Sequence, residues 1–344
     1  MKQKVLFILA SLTVLMICLC GCGNSGVETV DGADERVADA YKEAYSYYSD
    51  KETYEGFWEI SAAYSCIGDD VQGHSFDLSG EDENQRGAII LSLLMMGEDP
   101  YHYEGKDLIA DLLEHGTGGS FAIPVFNFLA LQAAAADMDD KTLFAYIDYS
   151  CEKLTDFSMG PDIGGWAAVS LVRYADDPRF EDQIKEAVKT YSDTVSENLS
   201  CGTMGSDGIT YGCVVMGLTA FANMGLNGFD VSKDSPWIDN DPLALMYDNL
   251  TDGEENVSDY YKNQYNLDFA DFYRVIYADS DMAWISCGIT ADKLSALMEE
   301  AKNSDDQAVR EALSVAENLS HDELSSAVPT WGKTYFDLFH AMEK

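Results

Sequence analysis

The chain has 344 residues, of which 21 are lysine or arginine and 61 are aspartate or glutamate, so its net charge is −40. This charge repels nucleic acid and anionic lipid headgroups, which argues against both as partners of the folded part. It favours solubility and attracts cations or basic partners.

The N-terminus predicts export. Lys2 and Lys4 precede an apolar run at 5–19, which is too short for a comfortable membrane span and matches the h-region of a secretory signal. The residues Leu19, Cys20, Gly21 and Cys22 resemble the lipobox of bacterial lipoproteins. That resemblance implies cleavage before Cys22, acylation of Cys22 with palmitate, and a lipid anchor in the bilayer at the extracytoplasmic face of the cell membrane. An ordinary cleaved signal peptide is the alternative.

The expected organisation has three parts: a signal peptide at 1–21, a flexible tether at 22–35 and a single folded domain at 36–344. Loss of Lys2 and Lys4 with the signal leaves 19 basic residues against 61 acidic, a net charge of −42. Five cysteines then remain, and an odd number leaves at least one unpaired. Cys151 and Cys213 fall in apolar helical patterns, whereas Cys201 falls in a glycine-rich loop and is expected to be accessible.

The hydrophobic pattern predicts two kinds of helix in an all-α fold. Segments 121–136, 165–175 and 211–224 are apolar on nearly every side. Each is followed by a segment with one apolar stripe, at 143–154, 180–195 and 243–250. A helix that is apolar all round must be covered on all sides, so the alternation predicts an inner layer of helices wrapped by an outer layer.

Further helices are predicted on both sides of these pairs, with a polar loop at 68–83. Their expected ranges are 36–48, 54–66, 266–279, 290–302, 305–319 and 330–342. Ser304 and Ser320 each precede a Gln or Glu three residues later, which predicts a capping box at the start of two of the later helices.

Glycine-rich loops with an aromatic residue precede the three apolar helices. They lie at 116–121, 160–166 and 202–211 and end in Phe121, Trp166 and Tyr211. This pattern, recurring every 40 to 50 residues between about 84 and 279, resembles the repeats of the terpenoid cyclase and protein prenyltransferase superfamily. The resemblance implies an α/α toroid, a barrel of helical hairpins with inner and outer rings, and a pocket at the N-terminal ends of the inner helices. Corrinoid carriers and bacterial surface proteins share that fold.

The superfamily's catalytic motifs are not matched in their usual setting. Asp137, Met138, Asp139 and Asp140 fit the Asp-x-Asp-Asp string of class II cyclases, but they follow a helix, which favours a solvated turn. Asp207 and Cys213, with His321 or His340 far beyond, do not have the spacing of the prenyltransferase zinc site. We therefore expect no metal and no cofactor. The acidic runs at 81–83 and 239–241 lack the spacing of a calcium loop.

These observations predict a non-catalytic binding protein that receives a ligand at the mouth of the toroid. The expected ligand is a small hydrophobic or corrinoid-like molecule, or a surface partner. The expected binding residues are Phe121, Trp166, Tyr211, Trp237 and Tyr265, because aromatic side chains at a rim give large contact area with little entropy loss. Packing between helices is the alternative role for each of them.

Two other functions stay open. A cyclase-type or lyase-type enzyme would use Asp162 and Asp207, carboxylates in corresponding loops, as acid and base. An assembly module of the cell surface would instead bind a basic partner through its acidic outer helices.

Overall fold

The computed structural model of the chain describes residues 33–118, 123–159, 161–201, 208–226, 241–252, 259–326 and 329–343. Within these ranges the fold is all-α, as predicted, apart from one pair of three-residue strands. The helices are α1 Glu35–Ser49, α2 Gly56–Ile67, α3 Arg86–Met95, α4 Leu108–His115, α5 Ile123–Ala133, α6 Asp140–Thr155, α7 Asp162–Leu171, α8 Glu181–Cys201, α9 Gly208–Asn223, α10 Pro242–Asp252, α11 Asp259–Ile276, α12 Ala283–Ser286, α13 Ala291–Ala301, α14 Gln307–Ala316, α15 His321–Leu324 and α16 Gly332–Met342. None of the helices in the described ranges has the length and apolar character that a membrane crossing requires.

The two predicted kinds of helix differ in burial as their patterns require. Val169 and Leu171 on α7 and Val215 on α9 are at most 1% exposed, so these apolar helices are covered on all sides. On α8 the stripe that includes Ile184 and Tyr191 is fully buried, while the charged face between these residues is exposed. Hydrophobic burial therefore places α8 outside α7.

Each buried helix packs against two others of the same kind. The contacts run from α2 to α3, α3 to α5, α5 to α7, α7 to α9, α9 to α11, and from α11 back to α2. Four further helices pack against members of this series or against one another: α4 against α3 and α5, α6 against α5 and α7, α8 against α6 and α7, and α10 against α9 and α1.

The start of α2 differs from the prediction because two residues expected to be helical form a strand. Strand β1, Thr53–Glu55, pairs in parallel with β2, Ser75–Asp77, so the helix begins at Gly56. The segment 68–83, expected to be a polar loop, contains β2 and a 3-10 helix at Gly68–Gly73. Tyr54 fixes this arrangement, because its side chain is fully buried and its hydroxyl donates to the carbonyl of Tyr48 at 2.9 Å.

The helix caps partly match the prediction. Ser320 forms the predicted capping box with Glu323. The prediction for Ser304 is wrong, since α14 is capped by Asp306, whose carboxylate accepts the backbone N–H groups of Ala308 and Val309. Asp306 stands directly before the first helical residue, whereas Ser304 lies two residues further out and only accepts the N–H of Asp306.

The segment 282–289 packs against the C-terminal ends of the buried helices. Arg173, just after α7, donates to the carbonyls of Gln132 at 3.0 Å and Ile285 at 3.1 Å. The N–H of Ile289 donates to the carbonyl of Ala133 at 2.8 Å. The bond from Ile289 satisfies a carbonyl at the end of α5, and Arg173 bridges the end of α5 to the segment 282–289. Their effect is to tie the C-terminal part of the chain to the helical core.

The cysteines of the described ranges are buried thiols. Cys66, Cys151, Cys213 and Cys287 are buried, which confirms the prediction for Cys151 and Cys213. The prediction that Cys201 lies in a loop is wrong, because α8 extends to this residue; its side chain lies outside the described residues.

Candidate functional site

Five aromatic rings meet where α2, α5 and α7 begin. This aromatic cluster consists of Phe57 and Trp58 on α2, Phe126 on α5, Trp166 on α7 and Trp284 on α12. The ring centroids of Trp166 lie 5.7 Å from Trp58 and 5.4 Å from Phe126, and those of Phe57 and Trp284 lie 5.5 Å apart in a stacked pair. These separations are typical of favourable aromatic contacts.

The cluster has a buried floor and a partly exposed rim. Phe57 and Trp284 are 3% and 2% exposed, whereas Trp58, Phe126 and Trp166 are half-buried. The indole N–H of Trp284 donates to Ser61 Oγ at 3.0 Å. The indole N–H of Trp166 has no hydrogen-bond acceptor among the described residues, although the nitrogen is buried. The rim therefore offers apolar area, and behind it lies one buried donor that is unpaired among the described residues.

A cavity of about 350 Å³ lies beside Trp58. Its lining is apolar at Trp58 and Phe57 and charged at Lys51, Glu59 and Glu81. Lys51 and Glu59 form an ion pair, and Glu81 accepts the N–H of Phe57 at 3.0 Å, at the N-terminus of α2. A carboxylate at this position is favourable because it faces the positive end of the helix dipole.

A second cavity, of about 310 Å³, lies where α3 and α5 begin. Its lining includes Arg86, Ile123 and Asn127. Asn127 is 3% exposed, and its side-chain oxygen has no hydrogen-bond donor among the described residues. A buried carbonyl left unpaired costs about 1–3 kcal/mol, so this oxygen favours a donor from water or a ligand.

The structure places the predicted binding residue Trp166 in the cluster. Trp166 lies at the rim, and Tyr211, on the first turn of α9, is half-buried against the hydrophobic core. Tyr265 is 4% exposed and packs with Phe269 in a second core cluster, which favours its alternative role in packing. Outside the described residues lie Phe121, Trp237 and the lipidation residue Cys22.

The two carboxylates of the enzyme alternative are not both described. Asp162 is the first residue of α7 and is half-buried, and its charge helps to raise the pKa of the fully buried Tyr191, after the larger effect of burial. Asp207 lies outside the described residues. Their predicted pairing across corresponding loops therefore stays a prediction.

The Asp-x-Asp-Asp string is a helix cap, as expected for a solvated turn. Asp139 is exposed and accepts the N–H of Thr142 at 2.7 Å at the start of α6. Hydrogen bonds from Thr142 lower the pKa of Asp139. A general acid needs a raised pKa, so the shift has the wrong direction for cyclase chemistry.

Of the zinc candidates of the sequence, Cys213 and His321 lie outside the metal-binding group that the described residues form, whereas His340 belongs to it. Cys213 is fully buried and its sulfur accepts from Gln264 Nε2 at 3.4 Å. His321 is exposed on α15. Among the described residues, one group of His and carboxylate side chains has metal-binding proximity, and it contains neither Cys213 nor His321.

That group, which sequence reasoning missed, consists of Asp99, His102 and His340. Asp99 Oδ2 lies 2.7 Å from His102 Nδ1 and 2.8 Å from His340 Nε2. The other ring nitrogen of His340 lies 3.1 Å from Glu343 Oε2. Burial lowers the pKa of His340, but hydrogen bonds to Asp99 and Glu343 raise it more, so the net shift is upward.

The sequence pattern distinguishes only one of Trp58, Phe126 and Trp284, three residues of the aromatic cluster that were not predicted. Trp58 follows a glycine by two residues, much as Trp166 directly follows Gly165 at the start of α7, so the same pattern could have found it. Phe126 lies inside a uniformly apolar segment with nothing to distinguish it. Trp284 comes from a short helix whose approach to α2 depends on tertiary packing alone.

Comparison of the chain with known protein families, with curated proteins and with solved structures finds no match.

Proposed function

We propose that the chain is a membrane-anchored extracytoplasmic lipoprotein whose α/α toroid binds a small hydrophobic ligand at the aromatic cluster. Support for the toroid is the order of helix contacts. The series α2, α3, α5, α7, α9 and α11 returns to α2, and α1, α4, α6, α8 and α10 pack against its members. A closed inner ring with an outer ring has this pattern of neighbours.

Support for the anchor is the N-terminal sequence. Lys2, Lys4 and the apolar run at 5–19 precede Cys22 in the manner of a lipoprotein signal. Buried thiols and a strongly acidic composition are compatible with a folded body held outside the membrane by acylated Cys22. A single acyl chain gives only marginal membrane binding, so stable anchoring requires more than one chain on this cysteine.

The observation that carries the binding proposal is the half-buried rim of Trp58, Phe126 and Trp166. These residues come from the first two turns of α2, α5 and α7, and the contacts between their rings bring them together. Binding sites are typically apolar and concave with a few convergent polar groups. The indole N–H of Trp166 and the side-chain oxygen of Asn127 are polar groups of this kind.

The size of the neighbouring cavities favours a small ligand. At about 350 and 310 Å³ they lie at the lower end of the usual range of about 300–1,000 Å³ for ligand sites. An isoprenoid alcohol fits this volume, with its apolar body against Phe57 and Trp58, which line the larger cavity, and one oxygen for a polar group of the cavity wall. A corrinoid-like ligand or a surface partner would need a larger opening and is the less supported alternative.

Titration of the full chain with farnesol, followed by tryptophan fluorescence, tests the proposal. We expect saturable quenching, and at least tenfold weaker binding by Trp58→Ala and by Trp166→Ala, because truncated aromatic anchors often cost about 2 kcal/mol or more. Phe144→Ala is the matched control, since Phe144 is 43% exposed on the outer helix α6. Equal affinity in all four proteins, or no saturable quenching, would contradict the proposal.

A further inference from the structure

The group of Asp99, His102 and His340 joins the two ends of the folded chain. Asp99 and His102 lie in the loop after α3, and His340 lies in the last turn of α16, 241 residues from Asp99. Contacts of the two elements with one another and with the end of α5 hold them together. The ring centroids of Tyr101 and Phe336 lie 5.9 Å apart, and the hydroxyl of Tyr101 donates to the carbonyl of Ala134 at 3.1 Å.

The side chains of this group converge on a small volume. One ligand atom from each of Asp99, His102 and His340 lies within 4.8 Å of the others. In a tetrahedral zinc site with bonds of about 2.0–2.1 Å, ligand atoms lie roughly 3.3 Å apart. The observed separations of 2.7 and 2.8 Å therefore need an adjustment of roughly 0.5 Å. The side chains of His102 and His340 are 50% and 38% exposed and have room to make it.

The surroundings orient the donors as a metal site requires. Asp99 Oδ1 accepts the N–H of Tyr101 at 2.7 Å, which leaves Oδ2 for the two imidazoles. Glu343 lies 3.1 Å from His340 Nδ1, and a carboxylate there holds the proton on Nδ1 and directs the lone pair of Nε2 toward Asp99. With the proton on Nδ1, the approach of Nε2 to Asp99 Oδ2 at 2.8 Å requires either a second proton on the ring or a metal cation between the two atoms.

We propose that Asp99, His102 and His340 bind one divalent transition-metal ion of the zinc type. Two imidazole nitrogens and one carboxylate oxygen suit Zn²⁺, whereas Ca²⁺ and Mg²⁺ prefer sites made wholly of oxygen ligands. The three side chains leave a fourth position for water. The strongly negative charge of the chain adds a general attraction for cations but does not select this metal.

The metal would act as a clip between α16 and the loop after α3. An ion that binds only the folded chain raises the free energy of unfolding. The increase grows with the logarithm of the ratio of ion concentration to Kd. The site is separate from the aromatic cluster, because Phe126 lies near the start of α5 and the Ala134 contact lies just beyond its end. Ala134 follows Phe126 by eight residues, which corresponds to about 12 Å along the helix axis.

Calorimetric titration of the full chain with Zn²⁺, purified without a polyhistidine tag, tests the proposal. We expect one Zn²⁺ per chain, a rise in Tm that EDTA reverses, and Co²⁺ absorption bands typical of nitrogen and oxygen ligands. His102→Gln and His340→Gln are each expected to weaken binding at least tenfold. His102→Gln is the safer of the two, because this side chain is half exposed and its loss leaves the buried contacts of α16 in place.

His321→Gln is the matched control, since His321 is exposed and lies outside the group. It is expected to bind Zn²⁺ as the unaltered chain does. The proposal is overturned if no Zn²⁺ binds, if His102→Gln and His321→Gln bind it equally, or if Ca²⁺ binds here in preference to Zn²⁺. In the first case the group is a hydrogen-bonded clip in which a proton, not a metal, supplies the positive charge.

Discussion

Asp268 on α11 and Gly212 on α9 lie so close that a methyl group at position 212 would come within 2.5 Å of Asp268 Oδ2. Asp268 is 1% exposed, and neither of its oxygens has a hydrogen-bond partner among the described residues. Burial, and then the charge of Asp271, raise the pKa of Asp268 well above 3.8, which favours the neutral form of this carboxyl. The contact between α9 and α11 is thus built on a glycine and a buried carboxyl.

The first prediction concerns this contact. Gly212→Ala should lower the free energy of unfolding by about 1–3 kcal/mol, because the added methyl overpacks a buried interface. In an Asp268→Ala background the same substitution should cost clearly less, since the clashing oxygen is gone. Urea unfolding of the four proteins measures the difference, and an equal cost in both backgrounds would mean that Asp268 is not the obstacle.

The second prediction concerns pH. Burial raises the pKa of Asp271 from 3.8 to about 6, against the lowering effects of Arg274 and of hydrogen bonds from Ser65 and Ala283. Because the folded-state pKa lies above the unfolded value, this group's stabilising contribution is complete below about pH 4 and is lost as the pH rises through 6. A shift of this size corresponds to about 3 kcal/mol at pH 7.

Asp271→Asn should remove this loss. The amide oxygen can still accept from Ser65 and Ala283, and the variant should gain up to about 3 kcal/mol over the unaltered chain between pH 4 and pH 7. Urea unfolding at four pH values across this window tests the prediction. Parallel stability curves for the two proteins would show that Asp271 does not titrate in it.

The third prediction concerns the close approach of α7 and α9. A methyl group on Gly165 would lie 2.0 Å from the carbonyl oxygen of Cys213, and backbone atoms cannot move aside as a side chain can. Gly165→Ala should therefore cost more than about 3 kcal/mol or prevent folding. Gly80→Ala is the matched control, since a methyl group there meets nothing within 4 Å. Similar Tm values for the two variants would contradict the packing of α7 on α9.

The fourth prediction separates capping from catalysis in the Asp-x-Asp-Asp string. Asp139→Ala should lower Tm measurably, because it removes the carboxylate that caps α6, while Asp140→Ala should have little effect. Asp140 is 86% exposed and makes only a long contact with Arg179, at 3.4 Å. A larger loss of stability in Asp140→Ala would reverse the assignment of the cap.

The helical pattern and the burial of individual faces could be predicted from the sequence because they depend on local periodicity. The burial of Val169 and Val215 followed from it, and so did the helical class of the fold. The strand at Tyr54 could not be predicted, since it requires a partner strand more than twenty residues away. Similarly, α11 begins at Asp259 rather than at 266, because its polar first turns are held by packing rather than by an apolar stripe.

The candidate site was predictable only in part, for the same reason. Trp166 stood out beside a glycine-rich loop, whereas Trp284 reaches the cluster only through tertiary packing. His340 and Asp99 lie 241 residues apart, so no motif spacing could join them. Contacts between residues that are far apart in the chain produce no local sequence pattern from which they could be predicted.

Native mass spectrometry of the full chain, purified from the cells that produce it, tests the central claim most directly. The account predicts a bound small molecule in the unaltered chain and in Phe144→Ala, lost from the double variant Trp58→Ala, Trp166→Ala. The bare mass of the chain in all three proteins, or the same adduct retained by the double variant, would contradict a ligand site at the aromatic cluster.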